Sequence, residues 1–176
     1  MRVIPLTVTA LTAALVLTAC DGGGGSGNGG SGNTKDRSAC KIGSVSVQIG
    51  SASVAPAAGD TGEVPVSITN QSAPCTLNEF PGVGLHQGGS AATLPALKGA
   101  KPQKLKLAKG DSASFTITYV RGKAGDKASL DAKTVRIGLP GSDATQSFPW
   151  SYGPVAGTGS ADHPNASVSA FQQPGD

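Results

Sequence analysis

Apolar and polar residues alternate one by one along much of this chain, and a two-residue period predicts β-strands. Val45, Val47 and Ile49 alternate with Ser44, Ser46 and Gln48. Val64, Val66 and Ile68 alternate with Glu63, Pro65, Ser67 and Thr69, and Leu105 and Leu107 with Lys104 and Lys106. The longest run sets Ala113, Phe115, Ile117 and Tyr119 against Ser112, Ser114, Thr116 and Thr118, and Val135, Ile137 and Leu139 repeat the pattern. No segment sustains a 3.6-residue apolar period, so helices are not expected. Turn residues separate the runs at Ala58-Gly59-Asp60, Asn70-Gln71-Ser72, Lys109-Gly110-Asp111, Gly122 to Gly125 and Pro140-Gly141-Ser142. Each strand has one apolar and one polar face, and two such sheets face to face make a sandwich. The fold expected is all-β, a single immunoglobulin-like antiparallel β-sandwich. Pro65 inside its run predicts an edge strand. Val168 and Phe171 are candidates for a closing strand; without them, everything after Gly153 is a loose tail.

The first twenty residues follow another pattern. Met1-Arg2 precedes an apolar run from Val3 to Val16, which ends in Leu17-Thr18-Ala19-Cys20. A short basic segment, an apolar segment, a small residue and then cysteine resemble a bacterial lipoprotein signal peptide. Cleavage before Cys20 leaves that cysteine to carry thioether-linked diacylglycerol and a further N-acyl chain, palmitate-like in role. Two or more chains make such an anchor stable. The apolar run is shorter than the ~20 residues of a membrane span. The expected location is the outer face of the cell membrane, with the membrane itself as partner through Cys20.

From Asp21 to Ala39 the chain reads DGGGGSGNGGSGNTKDRSA, which cannot bury apolar surface and predicts a tether of about 25 Å r.m.s. reach. Gly27, Gly29 and Gly32 fit a dinucleotide-binding spacing, but no strand precedes them and no helix pattern follows. The expected organisation is a signal peptide (1–19), lipidated Cys20 with a flexible linker (20–39), the sandwich (40–172) and a short disordered tail (173–176). Without Arg2 the chain carries 13 basic and 11 acidic side chains, so its net charge argues for no nucleic acid.

Three cysteines less Cys20 leave Cys40 and Cys75, with one pairing open to them. In an extracytoplasmic compartment they predict a disulfide.

The segment Cys75-Thr76-Leu77-Asn78-Glu79-Phe80-Pro81-Gly82-Val83 resembles the Cys-x-Leu-x-Gly-Tyr/Phe-Pro-Gly-Val motif of an actinobacterial secreted domain, the domain-of-unknown-function family 4232. Leu107, Gly110, Ser112, Ala113 and Phe115 resemble its Leu-x-x-Gly-x-Ser-Ala-x-Phe strand, and Leu139-Pro140-Gly141 its late Pro-Gly turn. The resemblance spans about Cys40 to Trp150 and implies a lipid-anchored or secreted β-sandwich of no assigned activity. Glu79 stands where the family commonly has glycine. A second cysteine pair, frequent in members, is missing between Arg121 and Asp176. Read from its own residues, the motif is a packing and turn device: Phe80 extended before proline, Pro81-Gly82 turning the chain, Val83 and Leu85 pointing into the core.

Catalytic motifs are sparse. Asp60-Thr61-Gly62 matches the aspartic-protease triplet once, where two copies are needed, so Asp60 reads as a turn residue. His86 and His163 have no second imidazole at helical spacing, and neither a metal nor another cofactor is expected. No Gly-x-Ser-x-Gly elbow occurs. Trp150, in Phe148-Pro149-Trp150-Ser151-Tyr152, reads as core rather than as a sugar-stacking platform.

The charge pattern has one marked feature. Lys98, Lys101, Lys104, Lys106 and Lys109 lie in twelve residues with no acid among them. They read either as protection of an edge strand or as a contact for an anionic cell-wall polymer or lipid headgroups. The function expected is a non-catalytic binding or interaction module on a membrane-anchored lipoprotein, its partner a wall polymer or an envelope protein. The alternatives are an envelope hydrolase or metal-dependent enzyme whose site assembles only in the fold, and a structural spacer.

Overall fold

The computed structural model describes residues 38–174. Its strands are β1 (Val45–Ile49), β2 (Thr61–Asn70), β3 (Cys75–Leu77), β4 (Gly82–Gln87), β5 (Ser90–Thr93), β6 (Leu105–Leu107), β7 (Ser112–Val120), β8 (Ser129–Leu130), β9 (Thr134–Gly138), β10 (Thr145–Pro149), β11 (Val155–Ala156) and β12 (Ala166–Val168). No helix occurs among the described residues. One four-stranded sheet runs β1-β2-β7-β12 and the other β10-β9-β4-β5, with every neighbouring pair antiparallel. Two ribbons, β3-β6 and β8-β11, complete the framework. The chain is an all-β sandwich, and the alternation at β1, β2, β6, β7 and β9 matches the strands.

The core forms because the inner faces of both sheets are apolar at every second residue. In the first sheet Val64, Val66 and Ile68 of β2 lie with Ala113, Phe115, Ile117 and Tyr119 of β7, all 1% exposed or less. The second contributes Val83 and Leu85 of β4 and Val135 and Ile137 of β9 to the same cluster. Each large aliphatic side chain buried in this way contributes about 1.5–3 kcal/mol before the entropy cost of ordering it.

Pro65 lies in an interior strand, not an edge strand. Its neighbours on either side are β1 and β7, with Pro65 opposite Thr116. The physical reason is local. The Gly50 amide donates to the Pro65 carbonyl, and β1 stops there because proline has no N–H to return. Pairing resumes at Ser53 and Glu63, which exchange both backbone bonds. Two residues, Ser51 and Ala52, then face one, Val64, a bulge that accommodates proline inside a sheet.

The turn placed at Pro81-Gly82 also moves. Gly82 already pairs with Gly138 in the β4–β9 ladder, and the bend falls at Glu79, whose φ is 86°. Pro81 is buried just ahead of β4, where its missing N–H interrupts no ladder. Val83 and Leu85 do point into the core.

The Cys40–Cys75 disulfide joins the approach to β1 to the start of β3. Ser38 and Ala39, read as the end of the linker, already belong to the folded unit: the Thr76 amide donates to the Ser38 carbonyl at 2.8 Å, and Ala39 is buried. Asn70, wholly buried at the end of β2, holds the following turn. Its Nδ2 donates to the carbonyls of Ala73 and Leu107, and its Oδ1 accepts from the Ser72 amide. The C-terminal segment closes the core. β12 pairs with β7, Phe171 is fully buried against Phe115, and Gln172 exchanges backbone bonds with Ser114.

Candidate functional site

The lysine segment lies on and around β6. Leu105 and Leu107 point inward, so Lys104 and Lys106 project together from the opposite face. Among the described residues β6 pairs with β3 alone, which leaves its other edge without a strand partner there. Lys98 and Lys101 occupy the connection from β5, and Lys109 the turn into β7. All five are exposed, and none makes an ion pair among the described residues. Edge protection accounts for Lys104 and Lys106. It does not account for Lys98, Lys101 and Lys109, which lie outside the strand. Cys20 and the glycine-rich linker from 21 to 37 lie outside the described residues.

A second feature was not legible as a site in the sequence. The outer face of the β10-β9-β4-β5 sheet carries a trough of about 600 Å³, within the usual range of ligand sites. Gly82, Gly84 and Gly138 form its floor, and Phe80, His86, Thr93, Arg136, Pro140, Ser142, Asp143 and Thr145 contribute its walls. The register explains the arrangement. Gly82 pairs with Gly138, which pairs in turn with Thr145; Gly84 lies between Thr93 and Arg136. Alternation sends Val83, Leu85 and Ile137 inward and these residues outward. The sequence signal was Gly82-x-Gly84, two glycines at strand spacing.

His86 stands at one end of the trough, with its ring over Gly84. A Cβ on Gly84 would lie 3.2 Å from His86 Nε2. The imidazole titrates below its ordinary value, first because burial disfavours the charged form and then because Arg136 repels it. His163 lies elsewhere, in a concavity of about 470 Å³ with Asp162, Asn165 and Pro95. The two concavities share Thr93 but not a histidine. Among the described residues no three His, Cys, Asp or Glu side chains gather as metal ligands.

The other singled-out residues have structural places. Asp60 Oδ2 accepts from the Ala57 amide at 3.0 Å, so Asp60 closes the turn before β2. Trp150 is buried, in edge-on contact with Tyr119 and Tyr152 at centroid distances of 5.2 and 4.9 Å. Its Nε1 donates to the Gly153 carbonyl.

No curated protein matches this chain. A family match covers residues 40–172, from the first disulfide cysteine to the residue after Phe171, and carries the description domain of unknown function (DUF4232). It takes in the disulfide, both sheets, the lysine segment and the trough, and on it the chain belongs to the DUF4232 family.

Proposed function

We propose that this protein is an extracytoplasmic lipoprotein, held at the outer face of the cell membrane by lipidated Cys20, whose sandwich is a non-catalytic binding module for an anionic cell-envelope polymer. The supporting observation is the lysine segment. Five exposed cations in twelve residues repel one another, and no carboxylate within the described fold neutralises them. Three of the five have no role in guarding β6. A polyanion lying along the segment relieves that repulsion. Lysine is a compact, strongly hydrated charge, so the contact is weak per residue and sensitive to salt. The Leu17-Thr18-Ala19-Cys20 segment and the linker support the location, since a tether of about 25 Å reaches into a wall matrix.

The test is co-sedimentation of the protein with purified cell walls across a salt series, beside a variant with Lys98, Lys101, Lys104, Lys106 and Lys109 all changed to serine. Sedimentation that fades with salt and with the lysine changes is the expected result. Equal sedimentation of both proteins, or of neither, sinks the polymer reading.

A second reading, an envelope hydrolase, draws on His86, Ser142 and Asp143 lining one trough. It expects wall fragments to be released by the protein and not by His86→Ala.

A further inference from the structure

The trough contains three glycines, of which Gly82 is exposed and required by neither backbone conformation nor crowding. None of Gly82, Gly84 and Gly138 has a positive φ, so backbone conformation does not demand glycine there. Crowding does not demand it at Gly82 or Gly138, whereas at Gly84 the His86 ring would have to yield. A Cβ at Gly82 would find its nearest neighbour at 3.9 Å and one at Gly138 at 3.4 Å, both ordinary contacts. At Gly84 the nearest atom, at 3.2 Å, is the tip of the His86 side chain. Glycine inside a strand costs about 0.5–1 kcal/mol relative to alanine. A strand glycine without a conformational or packing reason marks a place where something approaches the backbone closely.

The walls indicate what approaches. Arg136, beside Gly84, is exposed, and its side chain makes no hydrogen bond or ion pair among the described residues. Its planar fork suits a carboxylate in bidentate contact. The hydroxyls of Thr93, Thr145 and Ser142 stand around the same floor, and Phe80 contributes an apolar edge. Gly84 lies under the His86 ring and Gly138 is buried, so the open backbone is at Gly82, beside Phe80. Open backbone with a hydroxyl rim and one guanidinium suits a ring that has an apolar face, hydroxyl groups at its edge and a single carboxylate.

We propose that the trough binds a hexose ring bearing a carboxylate, with Arg136 holding the acid and the open backbone at Gly82 receiving the ring face. This site is independent of the lysine segment and goes beyond the polymer reading.

The test is saturation-transfer NMR on the intact protein purified in detergent, with N-acetylmuramic acid and glucuronic acid as probes and N-acetylglucosamine and glucose as neutral controls. The two acids should receive saturation, with Kd raised at least tenfold by Arg136→Gln and also by Gly82→Val, which puts a branched side chain on the floor. The near-UV dichroism of Trp150 reports whether each variant is folded. Arg136→Gln replaces an exposed side chain and keeps the fold, so it decides the matter if Gly82→Val does not fold. No saturation of either acid, equal binding of the neutral sugars, or binding unchanged in Arg136→Gln each overturns the proposal. The five-lysine variant should bind the acids as the wild type does, which separates failure here from failure of the polymer reading.

Discussion

Gly62 lies directly across the β2–β7 ladder from Tyr119, and the tyrosine ring covers it so closely that a Cβ at 62 would fall 2.5 Å from the ring. The ring cannot swing away. It is buried, its hydroxyl donates to the Tyr152 carbonyl at 3.0 Å, and Trp150 packs on it edge-on. The glycine of the protease-like triplet is thus a packing requirement. Gly62→Ala should destabilise the protein by about 1–3 kcal/mol, the usual cost of overpacking a core. Urea unfolding measures it, and a cost below a few tenths of a kcal/mol contradicts the geometry.

Glu79 is the only non-glycine residue with positive φ among the described residues. Its side chain is exposed and makes no hydrogen bond within the described fold, so nothing offsets the backbone cost. Glu79→Gly should stabilise the protein by about 0.5–1 kcal/mol, the relief of strain outweighing the extra entropy of glycine in the unfolded chain. Glu79→Ala, still confined to positive φ, should gain nothing. Thermal unfolding of the two variants in parallel decides between them.

The disulfide closes a loop of 35 residues that contains β1 and β2. Replacing both cysteines with alanine should cost about 3–4 kcal/mol, chiefly by freeing the unfolded chain. A change in unfolding midpoint of only a degree or two contradicts this.

His86 sets an acid limit on stability. Its pKa in the folded protein lies below the ordinary 6.5 because burial, and secondarily Arg136, disfavour the imidazolium. The unfolded chain therefore takes up the proton first. The contribution is present above pH 6.5 and is lost as pH falls through the lower folded value. Arg136→Gln should shrink this acid-side loss without abolishing it, because burial is the larger cause. Unfolding midpoints of both proteins between pH 7 and 5 measure it, and identical pH profiles contradict the coupling.

What the sequence revealed depended on length of run and on distance along the chain. β2 and β7 are ten and nine residues long, and their alternation is unbroken. β3, β8 and β11 hold two or three residues each, too few to establish a period. β10 presents Thr-Gln-Ser-Phe-Pro, with Phe148 its one large apolar side chain. Pro65 misled because the rule placing proline at edges has a bulge as its exception, and the bulge needs Gly50 and Ser53 in register to be seen. The disulfide followed from counting cysteines. The trough did not follow from any local pattern: Gly138 and Arg136 join Gly82 and Gly84 only through the β4–β9 pairing.

The ring of Phe171 completes the packing around Phe115, its edge-on partner at 5.6 Å, and the two are far apart in the chain. A chain made from its N-terminus forward presents Phe115 long before Phe171 exists. Throughout that interval the sheet that ends in β7 lacks its outer strand β12, and one of its largest aromatic rings has an open side. The sandwich cannot seal until Phe171 has been delivered, so a chain interrupted before that residue retains most of its strands and an unsealed core.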